Sequence, residues 1–173
     1  MSTEIVGNFI YFGVVRHEVA RHDWGARRSA IHTVTTPTDW VSVVPFTDAG
    51  ELVMIRLHRF GIDGPSLEIP GGMIDAGELA EDAARRELLE ETGYAAREVR
   101  LVRTLSPNPA LQATRLHVFE ARGCVARASV ALEELEDCEV VLVKPDSLRD
   151  RIAEGELHHG LVIAALALLG VLR

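Results

Sequence analysis

The chain has 173 residues, a hydrophobic content of 47% and a formal net charge of −8 at pH 7. This length suits one domain with or without a small appendage, and the apolar content excludes a wholly disordered chain. The acidic balance argues against nucleic acid and membranes as partners, because such a protein repels their phosphates. Only two cysteines and an N-terminus without a basic leader are typical of a cytoplasmic protein.

The N-terminal part is predicted to form extra strands. Two strand-like runs occupy residues 9–15 and 30–35, and Pro37 then interrupts the chain. We therefore expect an N-terminal segment over residues 1–38 and a main domain over residues 39–173.

The main domain begins with a predicted hairpin. Its arms, 40–46 and 51–57, are rich in β-branched or large apolar residues and flank the turn sequence Thr-Asp-Ala-Gly. A helix is predicted from Glu78 to Thr92, and Gly93 is a typical C-terminal stop. Further predicted strands lie at 67–69, 99–105, 114–120 and 139–143, and further helices at about 146–153 and 157–172. This order predicts an α/β domain with a mixed β-sheet sandwiched between helices.

Three glutamates cluster within the predicted helix. Glu87 and Glu91 are one helical turn apart on the same side, and Glu90 lies on the adjacent stripe. Carboxylates this close repel one another unless a cation neutralises them. The all-oxygen set favours a hard ion, Mg²⁺ with Mn²⁺ as the alternative, over zinc. Because Mg²⁺ takes part of its shell from substrate phosphates, the cluster predicts phosphoryl chemistry.

An arginine and a glycine loop complete the predicted site. Arg86 is adjacent to Glu87 and one turn from Glu90, so we expect it to orient a carboxylate by charge-assisted hydrogen bonds. The segment Pro-Gly-Gly at 70–72 precedes the helix, and glycines let the backbone approach a ligand closely. The carbonyl of Gly71 is therefore a candidate metal ligand. A solvated acidic helix is the alternative reading of the glutamates.

Residues 72–94 resemble the Nudix box, which has Gly, five residues, Glu, seven residues, then Arg-Glu-apolar-any-Glu-Glu-any-Gly-apolar. The resemblance implies the Nudix fold and hydrolysis of a nucleoside diphosphate linked to another group. It also implies the roles of the matching residues. Glu87 and Glu91 would be the main metal ligands with Glu90 in support, Glu78 and Arg86 would position the loop and helix, and Gly93 would be structural.

Residues outside the box are similar to ADP-ribose pyrophosphatases and related nucleotide-sugar hydrolases. The run Leu-Glu-Ile-Pro-Gly-Gly at 67–72 resembles their entry segment, and Arg59 resembles an arginine that lies near their substrate. Pro109 lies close to a proline position of the same branch. Arg59, Glu68, Gly72 and Pro109 are thus the expected substrate-binding residues.

The same branch suggests a dimer and leaves the substrate open. Its members commonly build a homodimer with extra N-terminal strands like those expected here. The run Ser-Pro-Asn-Pro-Ala at 106–110 differs from the Ser-Pro-Gly run typical of ADP-ribose enzymes. Nucleotide sugars therefore stand beside ADP-ribose as expected substrates, with a nucleoside monophosphate and a sugar phosphate as products.

A catalytic base is expected on a loop beyond the box, as the family often places a glutamate there. Glu133, Glu134 and Glu136 occupy such a loop, and one of them would accept a proton from the attacking water. Solvated surface charges are the alternative for each. Glu134 and Glu136 therefore join Glu90 and Arg86 as expected catalytic residues.

Two histidines and two rival functions complete the predictions. His158 and His159 lie at the start of the last predicted helix, where a helix-start or surface role is favoured over metal binding because no third ligand is evident. One rival is a nucleoside triphosphate pyrophosphatase, which would release inorganic pyrophosphate. The other is a Nudix-fold sensor that binds a nucleotide without cleaving it, and the intact glutamate set argues against it.

Overall fold

The computed structural model describes residues 2–8, 12–23, 26–127 and 138–172. Residues 128–137, which include Glu133, Glu134 and Glu136, lie outside the described part of the chain. The chain divides into two compact units. The first unit comprises residues 1–39 and 106–116, and the second comprises residues 40–105 and 117–173.

The first unit contains a three-stranded antiparallel sheet in the order β1-β2-β3. The strands are β1 (Ser2–Asn8), β2 (Phe12–Asp23) and β3 (Ala26–Pro37). The expectation of two short strands is therefore wrong in number and length. β2 and β3 stay in register from Phe12 opposite Pro37 to Asp23 opposite Ala26. The strands are longer than predicted because backbone pairing continues through charged residues, where no apolar pattern is present to predict a strand.

Residues 106–116 join the first unit by backbone hydrogen bonds. The Thr35 N–H donates to the Leu111 carbonyl at 2.8 Å, and the Ala113 N–H donates to the Thr35 carbonyl at 2.9 Å. The Leu111 N–H donates to the Asn108 carbonyl at 3.0 Å and closes a turn over residues 108–111. Pro109 lies within this turn and so belongs to the first unit.

The second unit is built on a seven-stranded sheet in the order β10-β5-β4-β9-β7, with β6 paired to β5 and β8 paired to β9. The predicted hairpin is confirmed, because β4 and β5 are antiparallel neighbours joined by a turn in which the Thr47 N–H donates to the Glu51 carbonyl at 2.9 Å. The seven strands have these bounds: β4 (Trp40–Thr47), β5 (Leu52–Arg59), β6 (Gly64–Glu68), β7 (Tyr94–Ala95), β8 (Glu98–Leu105), β9 (Leu116–Ala126) and β10 (Cys138–Val143).

β9 runs from Leu116 to Ala126 rather than over the predicted residues 114–120. Two further strands of this sheet also differ from the sequence-based expectation. β6 begins at Gly64 rather than at residue 67, because Pro65 pairs opposite His58 and is tolerated where the strand needs no N–H donor. β7 has two residues, Tyr94 and Ala95, and is too short to show a period of alternation. Both strands are defined by their partners rather than by their own sequences.

Helix α1 (Ala80–Thr92) packs on the sheet, where it contacts β4 and β5. It starts two residues later than predicted, because the Glu78 carboxylate accepts from the Asp75 N–H at 3.0 Å and closes a turn before the helix. It ends as predicted at Gly93, which has φ 71°. The core between helix and sheet is formed by apolar side chains at Val41, Val43, Val53, Ala83, Ala84, Leu88, Phe119, Ala121 and Cys124.

The C-terminal part forms a 3₁₀ turn (Pro145–Ser147), α2 (Leu148–Ala153) and α3 (Gly160–Leu168). The last helix is shorter than predicted because His159 caps its start and Gly170, with φ 65°, follows its end. α3 packs against β4, so the sheet of the second unit is covered by helices as expected. Within the described ranges, no helix has the length and apolar character needed to cross a membrane.

Candidate active site

The site is built around the glycine segment that joins β6 to α1. The Val43 N–H donates to the Pro70 carbonyl at 2.8 Å, and the Val41 N–H donates to the Gly72 carbonyl at 2.9 Å. The segment is thereby held against β4. A Cβ atom at Gly71 would lie 3.0 Å from the Ser42 Cα and closer still to the Val41 carbonyl oxygen, so this close approach requires glycine.

Gly71 faces the glutamates of α1. Its N–H donates to a carboxylate oxygen of Glu91 at 2.8 Å. The carbonyls of the neighbouring Pro70 and Gly72 accept from β4. The Gly71 carbonyl stays a predicted metal ligand.

Glu87 lies against the other glycine of this segment. A Cβ atom at Gly72 would lie 2.5 Å from the carboxyl carbon of Glu87, so the missing side chain provides the space that Glu87 occupies. The Glu87 side chain is only 13% exposed. Burial raises the pKa of Glu87, and the hydrogen bond from Arg86 only partly offsets this effect. The ionised carboxylate is therefore under-compensated by the protein alone.

Arg86 holds the helix and the loop in one hydrogen-bonded group. Its guanidinium donates to Glu78 through Nε and Nη2 at 2.9 Å each, to Glu87 at 2.7 Å, to Glu90 at 3.1 Å and to the Met73 carbonyl at 2.9 Å. These bonds lower the pKa of Glu78 to about 2 and raise the pKa of Arg86. Arg86 thus spaces three carboxylates that would otherwise repel one another.

The donor set fits a hard divalent cation as a partial shell. Among the described residues, no three acidic, histidine or cysteine side chains converge as a ready-made metal cage. The reason is visible in the bonding, since Arg86 holds Glu87 and Glu90 while the Gly71 N–H holds Glu91. Carboxylate and carbonyl oxygens are the ligands that Mg²⁺ prefers, and it completes its shell with water and phosphate. The burial of the Glu87 carboxylate, on the same helix as Glu90 and Glu91, is the observation that favours a cation here.

A second charged pair lies on the strands that lead into this segment. Arg59, at the end of β5, donates to both oxygens of Glu68, at the end of β6, with distances of 2.9 and 2.8 Å. Glu68 is 4% exposed. Burial alone raises the pKa of Glu68, but the two bonds from Arg59 outweigh it and the net pKa is lowered. The structure therefore brings together Arg59 and Glu68, two of the expected substrate-binding residues.

Other expected residues lie elsewhere or outside the described ranges. Pro109 belongs to the first unit, and Glu134 and Glu136 fall in the range 128–137. The structure also shows one contact that the sequence did not predict. The Nε2 atom of His159 lies 4.0 Å from a Glu68 oxygen. His159 is far from Glu68 along the chain, so no spacing pattern signals their proximity.

Comparison with known proteins places this geometry in context. Residues 36–166 match the family model of the NUDIX domain. The chain is 34% identical over 114 residues to the ADP-ribose pyrophosphatase of Bacillus subtilis, covering 65% of this chain and 60% of that protein. It is 32% identical over 98 residues to the ADP compounds hydrolase NudE of Escherichia coli, covering 57% of this chain and 52% of that protein. The chain thus spans about half to three fifths of the length of these two relatives.

A solved structure shows the same fold. The crystal structure of an ADP compounds hydrolase superposes with a TM-score of 0.82 and 25% sequence identity, covering 98% of this chain and 90% of that chain. The fold of this chain is therefore a known one.

Proposed function

This chain belongs to the NUDIX domain family, and on that premise we propose that it hydrolyses the diphosphate bond of ADP-ribose or a nucleotide sugar. The products would be a nucleoside monophosphate and a sugar phosphate. The observation that carries the proposal is the group of carboxylates spaced by Arg86 around the glycine segment. The named activities of the similar proteins, an ADP-ribose pyrophosphatase and ADP compounds hydrolases, support this substrate class.

We propose Mg²⁺ as the cofactor, with Mn²⁺ as the alternative. Glu87 and Glu91 would hold it with the Gly71 carbonyl, and Glu90 would support them. When bound, the ion would supply electrophilic stabilisation of the phosphoryl oxygens. The burial and raised pKa of Glu87 support a cation, because an opposite charge would favour its ionised form.

The chain's own residues would bind and orient the substrate. Arg86 bridges Glu87 and Glu90 through Nη1 and so fixes the positions of the two carboxylates relative to each other. Arg59 is proposed to offset the charge of the diphosphate. Glu134 or Glu136 is proposed as the group that accepts a proton from the attacking water. Gly72, beside Glu87, is proposed to contact the substrate. Pro109, in the first unit, stays a predicted substrate contact.

The proposal is tested by replacing Glu91 with Gln and assaying nucleotide sugars, ADP-ribose, dinucleotides and triphosphates with Mg²⁺. Glu91→Gln should reduce turnover by about a hundredfold or more, because the metal loses a charged ligand. Glu81→Gln is the matched control, since Glu81 lies on the same helix and pairs with Arg85 on the exposed side. Equal activity of Glu91→Gln and Glu81→Gln would overturn the assignment.

Product analysis in the same assay separates the rival functions. A nucleoside monophosphate with a sugar phosphate supports the proposal, whereas inorganic pyrophosphate from a triphosphate identifies a triphosphate pyrophosphatase. Nucleotide binding without turnover in either Mg²⁺ or Mn²⁺ would identify a sensor.

We also propose that the protein is a cytoplasmic homodimer in which residues 1–38 form the dimerisation element and residues 39–173 the catalytic domain. The separate three-stranded sheet of the first unit supports a distinct role for the N-terminal strands. Cys124 and Cys138, both within the described residues, form no disulfide, as is usual in a reducing compartment. Light scattering on the intact chain tests the dimer, and a monomer at micromolar concentration would refute it. Cell fractionation tests the location.

A further inference from the structure

Two adjacent histidines precede α3, and their ring nitrogens have opposite kinds of partner. The Nδ1 atom of His159 accepts from the Val162 N–H at 3.4 Å. The Nδ1 atom of His158 lies 3.2 Å from the Gly155 carbonyl oxygen. A carbonyl oxygen can only accept, so His158 donates from Nδ1, whereas a neutral His159 ring carries its proton on Nε2. The two neighbouring rings are therefore opposite tautomers.

Protonation has a different effect on each of these rings. A protonated imidazole has a hydrogen on both nitrogens and can no longer accept a hydrogen bond. His158 gains its proton on Nε2 and keeps the bond from Nδ1 to Gly155. His159 gains its proton on Nδ1, the atom that accepts from Val162, so this bond cannot persist in the charged ring. Since imidazoles change charge near neutral pH, the bond to Val162 depends on pH in the physiological range.

The Val162 N–H relies on the His159 ring as its acceptor. The first N–H groups of a helix have no carbonyl partner within the helix. Val162 is the third residue of α3, and it is only 3% exposed. Because the residue is buried, water is a poor replacement for the ring, and an unpaired buried donor is unfavourable. We therefore expect the first turn of α3 to open more often when His159 is protonated.

A buried carboxylate lies on the other side of the His159 ring. The Nε2 atom is 4.0 Å from an oxygen of Glu68, whose side chain is 5% exposed. Burial raises the pKa of Glu68, but the two bonds from Arg59 outweigh it and the net pKa is lowered, so Glu68 is ionised near neutral pH. An ionised carboxylate favours the charged form of a nearby imidazole. Glu68 thus favours the protonation that the bond to Val162 opposes.

Other charged groups near the start of α3 have partners of their own. Glu156, in the connection before the helix, binds Arg56 of β5 and Arg151 of α2. β4, on which α3 packs, has no ionisable side chain. Among the described residues, Glu68 of β6 with its partner Arg59 of β5 is therefore the charged group that faces the ring.

We propose that His159 is a pH-dependent latch between α3 and β6. The neutral ring caps α3 by accepting from the Val162 N–H at Nδ1. In mildly acidic conditions Nδ1 takes a proton from solvent, which the 34% exposed side chain can reach, and the ring releases Val162 and pairs with Glu68 through Nε2–H. The latch is independent of the proposed function, because it operates without a substrate. Its effect is to loosen the first turn of α3 as the pH falls.

Amide hydrogen exchange of the intact chain, followed by NMR, tests the latch. Each rate is divided into the intrinsic rate of that amide at the same pH to give a protection factor. Between pH 7.5 and pH 5.5 the protection factor of Val162 should fall about five- to tenfold, which corresponds to the loss of a helix N-cap. The Val43 amide, which donates to the Pro70 carbonyl, is the internal reference and should keep its protection. Constant protection of Val162 while the His159 ring signal titrates would overturn the proposal.

Replacing each histidine separately shows which ring responds to pH. His159→Asn keeps a good N-cap at every pH, so Val162 should be equally protected at pH 7.5 and pH 5.5. His158→Asn is the matched control, since it removes the adjacent ring but not the cap, and it should keep the wild-type fall in protection. A fall that persists in His159→Asn, or one that disappears in His158→Asn, would contradict the assignment to His159.

Glu68→Gln tests the second half of the latch. Without the buried negative charge, the pH at which Val162 loses its protection should fall by about half a unit or more. Glu120→Gln is the matched control, because Glu120 is another shielded carboxylate that binds Arg100 and Arg122 on β8 and β9, and it should leave this pH unchanged. An unchanged pH in Glu68→Gln would remove Glu68 from the latch.

The tautomer of His159 in the wild type gives a test that needs no variant to fold. Nitrogen-15 NMR at pH 8 should show a proton on Nε2 of His159 and on Nδ1 of His158. A proton on Nδ1 of His159 at this pH would overturn the proposal, because that ring could not accept from Val162 in either charge state.

Discussion

At the scale of single residues, burial of the ionised Glu87 carboxylate is unfavourable for folding, and the surrounding protein groups only partly offset this effect. The carboxylate is buried beside Gly72, and burial outweighs the bond from Arg86, so its pKa is raised above the ordinary value of a glutamate. A raised carboxyl pKa favours the protonated form in the folded state. The stability that this provides is complete below the ordinary pKa and is lost as the pH rises through the raised value.

Glu87→Gln should therefore stabilise the metal-free protein at neutral pH while abolishing turnover. The amide keeps the shape of the side chain but removes the buried charge. Thermal unfolding in EDTA at pH 7.5 should show a higher melting temperature than the wild type, and the difference should shrink near pH 4. A lower melting temperature for the variant at both pH values would contradict this reading of Glu87.

The two neighbouring glycines should respond differently to alanine. In Gly71→Ala the new Cβ meets the backbone of Val41 and Ser42, which cannot move without disturbing β4. The free energy of unfolding should therefore fall by about 1–3 kcal/mol. In Gly72→Ala the Cβ meets only the end of the Glu87 side chain. Glu87 can move aside, so stability should change little while turnover falls about tenfold or more. Denaturant unfolding and initial rates measure the two effects, and equal stability losses would contradict the difference.

At the scale of elements, the stability of α1 depends on Gly93, the residue that ends the helix. Gly93 has φ 71° and donates its N–H to the Leu89 carbonyl at 2.8 Å. This left-handed conformation is costly for residues with a Cβ. The same turn leads directly from Glu91 into β7, so the end of the helix and the candidate site are adjacent.

Gly93→Ala should lower the free energy of unfolding by about 1 kcal/mol and leave KM unchanged. The substitution strains the helix end without altering a proposed substrate contact. Urea unfolding measures the stability change, and Ala96→Gly, in the loop after β7, is a control for general sensitivity of this region. A rise in KM of tenfold in Gly93→Ala would show that the helix end itself governs substrate binding.

The elements that could be predicted from the sequence are those whose own residues determine them. The hairpin of β4 and β5 has alternating apolar residues and a favourable turn, and α1 has a buried stripe that includes Ala84 and Leu88. β7 could not be predicted because two residues have no period, and the structure defines it only by its pairing with β9. The early start of β6 likewise depends on its partner β5.

The candidate site also combines features that local sequence determines with features that depend on distant parts of the chain. The spacing of Glu87, Glu90 and Glu91 was sufficient to place them on one helix, since helix geometry is local. It could not predict that Arg86 binds Glu87 and Glu90 while the Gly71 N–H binds Glu91. The buried pairing of Glu68 with Arg59 and the approach of His159 could not be predicted, because they depend on where two strands and a distant helix meet. The turn containing Pro109 joins the first unit through long-range backbone bonds that leave no pattern in the chain.

At the scale of the whole molecule, the proposed cation links stability to pH. Binding a divalent ion requires ionised carboxylates, and Glu87 resists ionisation because it is buried. Binding should therefore release a proton, and the affinity should rise with pH. A ligand that binds only the folded chain stabilises it by mass action.

Saturating Mg²⁺ should raise the melting temperature of the wild type more at pH 8 than at pH 5, and Glu87→Gln should lose most of this increase. Millimolar Mg²⁺ against EDTA, measured by thermal unfolding at both pH values, tests this expectation. Ca²⁺ serves as a comparison ion that prefers a larger shell. An increase that is independent of pH and equal in Glu87→Gln would show that the ion binds elsewhere.

The glycine segment is bonded to β4 through Val41 and Val43, and this attachment restricts the motions of the segment. A segment whose carbonyls accept bonds from a central strand cannot open as a lid without breaking part of the sheet. Its fluctuations should therefore be as rare as those of the strand, and the amide protons of Val41 and Val43 should exchange slowly with solvent. In the proposed reaction, substrate entry and product release would then depend on movements of other parts of the chain, while the glycine segment stays fixed to β4.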